Sequence, residues 1–427
     1  MHIKTLTLEN FRGASSLAIE LHPKLNVLVG MNGVGKSTVI DAIAIMLSWG
    51  VNRIRHSGTS GRPIAETDIT NQKSSASIEI CLYKDKEIKW RLAKSLKGQA
   101  SQYKPSNLTQ LSDYAKKIQT QISTNGQNAN IPLFIYYPVN RAVLDIPLRI
   151  RKKHSFGLLT AYNDALERTG TNFRSFFEWF REREDLENEN KVRHSQQASD
   201  GLANGLDYCD PQLKAVRDAL HRFLPEFRNL AIRRSPLRME VEKDGQCLRI
   251  DQLSDGEKCF IAMISDLARR MAIANPVGDP LEGEGIILID EIDMHLHPKW
   301  QRMIVSKLLD VFPNCQFILS THSPHVLSHI QPENIFLLSW GAESIVSQKP
   351  LESYGKNTDR ILEDLMGLDT TRPDIVSSDL HTIYEMIQNN HLDDAKNKIK
   401  TVRQTIRNDP ELVKAEVLIR RKEIIGK

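Results

Sequence analysis

Residues 30–38 read GMNGVGKST and match G-x-x-x-x-G-K-[ST], the pattern of a phosphate-binding loop. Its glycines let the backbone curl, so that several N–H groups face the point where the β- and γ-phosphates of a nucleotide would sit. Lys36 would reach these phosphates, and the hydroxyl of Ser37 would hold Mg²⁺. The predicted nucleotide-binding residues of this loop are Asn32, Gly33, Gly35, Lys36, Ser37 and Thr38.

Two acidic residues end the apolar run in IILIDEID, residues 286–293. Asp290 would bind the Mg²⁺ shell, because it stands at the end of a predicted buried strand. Glu291 lies one residue further toward the γ-phosphate and is the candidate to polarise the attacking water. Two solvated carboxylates at a strand end are the alternative interpretation, which the phosphate-binding loop upstream disfavours.

A second anion-binding surface is predicted in LSDGEK, residues 253–258. This segment would begin a helix whose N-terminus, with Ser254 and Gly256, can bind an anion. The nucleotide of the same chain would not reach that surface if both lay on one face of the sheet, so the surface would serve a partner subunit. A capping box of Ser254 and Glu257 explains the same residues without any ligand.

His322 lies in STHSP, residues 320–324, directly after an apolar run that predicts a strand. A lone histidine is more often structural. The position at a strand end, in line with the other motifs, instead predicts a contact between His322 and the γ-phosphate.

These segments need a sheet of buried strands to bring them together. LNVLV, GIILID and CQFILS are continuous apolar runs, typical of strands buried on both faces, and a helix over 299–312 makes the last two parallel neighbours. Upstream of the loop, residues 3–8 alternate as a half-buried strand does. Residues 94–130 are polar and are predicted to form a mobile excursion. Residues 158–227 have helical spacing.

The composition is that of an ordinary globular protein of 427 residues with a net charge of +4. This charge permits nucleic acid as a partner without requiring it. The five cysteines form no C-x-x-C pair, so the sequence predicts neither a disulfide framework nor a zinc site. No apolar run approaches the roughly 18 residues that a membrane span needs. We therefore expect a cytoplasmic protein with no membrane partner.

Other clusters have a more ordinary explanation. His295 and His297, with Asp293, have a spacing that could suggest a metal site, but they lie in a segment already assigned to the nucleotide. RIRKKH, residues 149–154, and RNLAIRR, residues 228–234, are basic. Solvated surface is the first interpretation of both basic clusters, and nucleic-acid contact is the alternative.

The ordered set GMNGVGKST, LSDGEK, IILIDEIDMHLHP and STHSP, with LENFRG near the N-terminus, resembles the ATP-binding cassette ATPases, and within them the RecF-like, SMC-like and OLD-like branch. The resemblance implies an α/β fold with a central mixed sheet, an inserted helical lobe and a C-terminal helical tail. It also implies ATP and Mg²⁺ as cofactors. The functional unit would be a homodimer or higher oligomer in which each site joins Lys36 of one chain to Ser254 of another.

The same resemblance assigns further roles. Asp293 would be the nucleotide-contacting residue of the loop after the acids, and His322 the switch histidine. Asp255 and Glu257 depart from the glycine and glutamine usual in transporter cassettes, so a transporter subunit becomes a weaker hypothesis. The glutamine that normally binds Mg²⁺ is not evident, and Asn140 is its candidate substitute.

Three more stretches, YYPVNRAVLDIP (136–147), FEWFREREDLENE (177–189) and YGKNTDRILEDLMG (354–367), are similar to ATPases of bacterial defence loci of the PtuA type, found in Septu and retron systems. This narrower resemblance implies a regulatory or sensor ATPase that controls a separate HNH-type nuclease through ATP-dependent dimer closure. A DNA-repair ATPase of the RecF or SMC type is the alternative. An OLD-type nuclease is the weakest hypothesis, because only about 100 residues follow His322.

Four regions are predicted from these assignments: 1–150 and 236–350 as the two parts of the ATPase domain, 151–235 as a helical insertion, and 351–427 as a helical region. In the last region, apolar residues recur at helical spacing from Leu380 to Ile419. This face is predicted either to pack on the ATPase domain or to form a groove for a partner helix.

Overall fold

The computed structural model describes residues 1–99, 103–139, 157–167, 173–197, 208–342 and 344–425. Asn140, the candidate substitute for the Mg²⁺-binding glutamine, lies outside these residues, as does the basic run 149–154. The chain divides into two units, Met1–Lys356 and Asn357–Lys427. The division into four regions stays a prediction.

The described strands fall into three sheets of the first unit. In chain order they are β1 (His2–Phe11), β2 (Ala14–Glu20), β3 (Leu25–Val29), β4 (Ser75–Lys84), β5 (Lys86–Ser95), β6 (Leu133–Tyr137), β7 (Phe227–Arg234), β8 (Leu237–Lys243), β9 (Gln246–Arg249), β10 (Gly285–Ile289), β11 (Cys315–Ser320), β12 (Ile335–Trp340) and β13 (Ile345–Gln348).

The central sheet has the order β13-β12-β3-β11-β10-β6. All its neighbouring strands pair in parallel except β13, which is antiparallel to β12. Strands β3, β6, β10 and β11 are buried along their whole length, as their continuous apolar runs predict for strands covered on both faces. The predicted α/β fold with a central mixed sheet is therefore confirmed.

Two antiparallel sheets flank this core. One has the order β2-β1-β4-β5, and its strand β1 alternates between buried and partly exposed residues as predicted. The other has the order β7-β8-β9. Its strand β7 begins at Phe227, inside the region 151–235 that was predicted as a helical insertion.

The described helices are α1 (Lys36–Arg55), α2 (Thr109–Asn125), α3 (Phe173–Gln197), α4 (Pro211–Phe223), α5 (Asp255–Ala274), α6 (Pro298–Val311), α7 (Pro324–Leu327), α8 (Thr358–Asp364), α9 (Asp374–Gln388), α10 (Leu392–Val402) and α11 (Pro410–Ile425). None of them is long and apolar enough to cross a membrane.

Helix α2 corrects the prediction of a mobile polar excursion over 94–130. Its buried residues are Leu111, Tyr114, Ala115 and Ile118, which recur at i, i+3, i+4 and i+7. This stripe packs against α1 and β5. Four apolar positions were enough to hold the helix, although the surrounding Gln, Ser and Asn residues dominated the composition of the segment.

A buried charge cluster ties α5 to β6. Asp266 accepts hydrogen bonds from Arg269 (2.6 Å), from Arg270 (2.8 Å) and from the hydroxyl of Tyr137 (3.1 Å) at the end of β6. Arg270 also donates to the carbonyl oxygens of Ala161 and Asn163. Because a buried charge that lost its partner would be costly, this cluster holds α5 in one position against the end of the sheet.

The second unit has its own core. Helices α9, α10 and α11 bury a shared set of side chains: Leu380, Ile383, Ile387, Ala395, Ile399, Val402, Leu412, Ala415 and Ile419. Arg372 forms a two-pronged ion pair with Asp409, which also caps α11. The apolar positions predicted to face the ATPase domain or a partner thus lie in a core that the three helices share.

Candidate nucleotide-binding site

The loop 30–35 joins β3 to α1 at the carboxyl edge of the central sheet. Gly30, Gly33 and Gly35 have φ values of 151°, 80° and 104°, which favour glycine. A Cβ on Gly30 would lie 2.4 Å from the carbonyl oxygen of Leu338, and a Cβ on Gly35 would lie 2.5 Å from Cδ1 of Ile345. The backbone oxygen therefore excludes a larger residue at Gly30, and the positive φ disfavours one at Gly35.

Lys36 begins α1 and lies across the loop. Only 5% of the residue is exposed, and its ammonium donates to the carbonyl oxygens of Gly30 (2.8 Å) and Met31 (3.1 Å). The first turn of α1 contains no acidic residue, so the positive end of the helix is available to an anion. Ser37, Asn32 and Gly33 are exposed; Gly35 and Thr38 are half-buried.

The two acids that follow β10 are oriented by one hydroxyl. Ser320, the fully buried last residue of β11, donates to Oδ1 of Asp290 (2.5 Å) and accepts from the backbone N–H of Glu291 (2.8 Å). Asp290 is 2% exposed, whereas Glu291 is half-buried with φ of 49°. A left-handed residue other than glycine stores strain, which is characteristic of functional sites. Ser320 thus fixes the carboxylate of Asp290 and the backbone of Glu291.

Asp293 holds the segment after β11. Its Oδ1 accepts from the hydroxyl of Thr321 (2.5 Å) and from the backbone N–H of His322 (3.3 Å). The side chain of Gln301 links the same region, since it donates to the carbonyl of Asp293 and accepts from Ser323. The acidic loop and the histidine segment therefore form one connected structure.

The charges of these residues influence one another. Burial lowers the pKa of Lys36, while the carboxylates of Asp290, Glu291 and Asp293 act to raise it. Burial, followed by the positive charge of Lys36, lowers the pKa of His322, and the same three carboxylates oppose this shift. The side chain of His322 is therefore neutral at pH 7 in the nucleotide-free protein.

Lys36→Met is expected to raise the pKa of His322, because the substitution removes a positive charge that disfavours the imidazolium but keeps a similar stem. NMR titration of the imidazole in nucleotide-free protein measures this pKa, which lies below the ordinary 6.5 in the wild type. Lys24→Met at the opposite end of β3 is the control and should leave the pKa unchanged. Equal values in the wild type and Lys36→Met would contradict the charge interaction.

The predicted second anion surface lies at the start of α5. Ser254 caps this helix: its hydroxyl accepts from the N–H of Glu257 and donates to the Glu257 carboxylate, so the predicted capping box is present. Ser254 itself is exposed. A Cβ on Gly256 would lie 2.2 Å from the carbonyl oxygen of His295. The glycine therefore allows α5 to approach the loop after the acids.

The structure thus brings most of the predicted site together. Five predicted residues converge where β3, β10 and β11 end: Lys36, Asp290, Glu291, Asp293 and His322. Ser254 and Gly256 lie at the start of α5, where Gly256 closely approaches the carbonyl oxygen of His295 in the loop after the acids. Sequence reasoning assigned no role to the hydroxyl of Ser320. The available signal was a polar residue at the end of the mostly apolar strand β11.

Comparisons with known proteins show which family the chain resembles. The family model AAA_21, described as "AAA domain, putative AbiEii toxin, Type IV TA system", matches residues 25–328. "Retron Ec83 probable ATPase" of Escherichia coli is 33% identical over 395 residues, covering 80% of this chain and 72% of that protein. "Septu protein PtuA" of Bacillus thuringiensis is 25% identical over 382 residues, covering 87% and 85%.

Among solved structures, the Smc head domain derived from Pyrococcus furiosus matches with a TM-score of 0.45 and 17% identity, covering 82% of this chain and 96% of that one. The family match, over residues 25–328, spans most of the chain, and the retron relative is 33% identical over 80% of it. The chain therefore belongs to the AAA-domain ATPases of the retron and Septu type.

Proposed function

We propose that the cluster at the ends of β3, β10 and β11 is the site of ATP hydrolysis. One observation carries this proposal: Lys36, Asp290, Glu291 and His322 interact electrostatically at one edge of the sheet, although they come from segments far apart in the chain. Ligands of open α/β sheets bind outside the carboxyl ends of the strands. Lys36 holds the β- and γ-phosphates there, in place of its present bonds to the loop carbonyls.

The residues present also fit Mg²⁺. The carboxylate of Asp290 and the hydroxyl of Ser37 are hard oxygen donors of the kind that Mg²⁺ accepts, and the hydrogen bond from Ser320 orients Asp290. When bound, Mg²⁺ would neutralise charge that develops on the phosphate oxygens. Asn140 stays a proposed additional ligand.

Glu291 and His322 act on the water and the γ-phosphate. Asp290 is buried and bonded to Ser320, whereas Glu291 is half-buried, so the two acids can serve the metal and the water separately. His322 is neutral at pH 7 and can donate one hydrogen bond to a γ-phosphate oxygen. The network through Asp293 and Thr321 holds His322 beside the acids.

Two copies of the chain would complete two such sites. The exposed Ser254 and the N-terminus of α5 would contact the ATP bound by the other copy. The segment around Asp293 would contact the same ATP. Because these contacts form only in the closed dimer, ATP shifts the population toward closure and hydrolysis reverses it. The exposure of Ser254 supports this arrangement, because an exposed residue is free to contact a second copy of the chain.

We further propose that the closing dimer regulates a separate effector of a defence system, an HNH-type nuclease. The retron and Septu names of the relatives are consistent with the PtuA-type resemblance, which implies the defence setting. A DNA-repair role has less support, because two arginines of the basic strand β7 are already paired: Arg233 with Glu240, and Arg234 with Glu184 and Asp185. Arg228 of the same strand is exposed.

The test combines ATP turnover with partner capture. The purified chain is expected to release phosphate from ATP in Mg²⁺ and to double in mass, by light scattering, with a non-hydrolysable analogue. Co-expressed with the product of the neighbouring gene, it is expected to copurify with a nuclease. Absence of phosphate release from folded protein would reject the enzymatic proposal, and a neighbouring product with no nuclease activity would reject the effector proposal.

A further inference from the structure

Trp340, the last residue of β12, is unusually open to solvent. It is 59% exposed, whereas Trp90 and Trp179 are almost completely buried and the remaining two tryptophans are half-buried. Indole rings bury large apolar areas in most folded proteins. A single exposed leucine is ordinary, but an exposed tryptophan beside a candidate ligand site indicates a surface that a ligand could cover.

The end of β12 touches the phosphate-binding loop. Because β12 runs parallel to β3, with Leu337 opposite Val29, Trp340 lies three residues beyond that pair at the same edge of the sheet. The carbonyl oxygen of Leu338 lies against Gly30, with no room for a Cβ between them. Ile345 is the cross-strand partner of Trp340 on β13, and its side chain lies against Gly35. The β12–β13 hairpin that carries the ring thus packs on both ends of the loop.

The indole ring rests on the turn between β1 and β2. A Cβ on Gly13 in this turn would lie 2.6 Å from Cη2 of Trp340, so the glycine is what allows the ring to lie there. The neighbouring Arg12 pairs with Asp41 of α1, which ties the turn to the helix that follows the loop. The ring is therefore supported by backbone on one side and remains mostly open to solvent.

The position of the acids sets the direction of a bound nucleotide. In the sheet order β12-β3-β11-β10, the loop follows β3, while His322 and the acids follow β11 and β10 on one side of it. A γ-phosphate directed toward Glu291 and His322 leaves the ribose and base on the other side of the loop. That side is formed by the end of β12 and the β1–β2 turn, where Trp340 is exposed.

We propose that Trp340 is the platform on which the base of the bound nucleotide stacks. The inference rests on the proposed ATP site and adds a positioning residue for the base. Stacking on an indole depends on the π-face that every base has, so it contributes affinity with little selection among bases. Purines, with their larger rings, cover more of the indole than pyrimidines do. ATP and GTP are therefore expected to gain similarly from Trp340.

The experiment compares a ligand that has a base with one that lacks it. Binding of a non-hydrolysable ATP analogue and of inorganic tripolyphosphate, both with Mg²⁺, is measured by calorimetry. Trp340→Ala is expected to raise the Kd of the ATP analogue about tenfold or more and to leave the Kd of tripolyphosphate unchanged. Trp340→Phe keeps a π-face and is expected to retain most of the affinity.

Tyr83→Ala is the matched control. Tyr83 is a 43% exposed aromatic residue opposite His2, at the end of β1 that is far from the loop, so its removal should change neither Kd. A second readout is acrylamide quenching of the emission that Trp340→Phe removes, which the ATP analogue should protect and tripolyphosphate should not.

The outcomes separate this inference from the proposed function. Unchanged affinity of Trp340→Ala for the ATP analogue would overturn the stacking role while leaving the ATP site intact. An equal loss of affinity for tripolyphosphate would also overturn it, because the change would then lie in the phosphate loop. Failure of the wild type to bind either ligand would instead reject the ATP site itself.

Discussion

Glu291→Gln is expected to bind ATP as tightly as the wild type but to lower kcat by about 10²–10⁴-fold, the usual contribution of general-base catalysis. The amide keeps the size of the side chain and can still hold a water, but it cannot accept a proton. ATP then persists in the closed state, so the variant should accumulate as a dimer. Phosphate release and light scattering in the presence of ATP measure the two effects.

The matched control for this variant is Glu352→Gln. Glu352 is an exposed carboxylate that pairs with Lys356 and has no part in the proposed site, so its substitution should leave kcat unchanged. The proposed role of Glu291 would be wrong if Glu291→Gln hydrolysed ATP at the wild-type rate. Loss of ATP binding in this variant would point instead to a collapse of the strained turn that Ser320 supports.

Mixing Ser254→Arg with Lys36→Ala is expected to restore turnover that neither variant has alone. Ser254→Arg blocks the surface that a chain offers to its partner, and Lys36→Ala removes the phosphate ligand of a chain's own loop. A mixed dimer has one site in which both residues are native. We expect homodimers of each variant to be at least about 10²-fold less active than the wild type, and the mixture to recover a measurable part of that loss.

The capping role of Ser254 requires its own control. Removal of an N-cap costs about 1 kcal/mol of stability, so Ser254→Arg could act by weakening α5. Ser254→Thr keeps a capping hydroxyl and should retain both stability and turnover, and thermal unfolding of all variants separates the two effects. If verified mixed dimers show no recovery, the two residues do not meet in one composite site.

Local patterns predicted much of the central sheet. Strands β3, β10 and β11 were recognisable because a strand buried on both faces is mostly apolar along its whole length. The capping box of α5 was recognisable because its two side chains are three residues apart. Helix α2 was missed, since its stripe of four apolar residues is sparse within a polar segment and its stability comes from packing on α1 and β5.

The second unit shows why an amphipathic face does not identify its partner. The periodicity of Leu380 to Ile419 correctly indicated helices with one buried side. It did not indicate that the three helices bury those sides against one another. Helical spacing specifies which residues avoid water, whereas the partner depends on how the connecting segments fold.

The sequence alone singled out the candidate phosphate-binding loop, the acids after β10 and the histidine after β11. It predicted that they lie together, because parallel strands present their carboxyl ends at one edge. The tertiary structure alone decided what surrounds them. The hydroxyl of Ser320 reaches Asp290 and Glu291 from a neighbouring strand, and the carbonyl of Leu338 dictates a glycine at position 30. These contacts join residues about 30 or 300 positions apart in the chain, and no spacing rule connects residues that meet only when the sheet has formed.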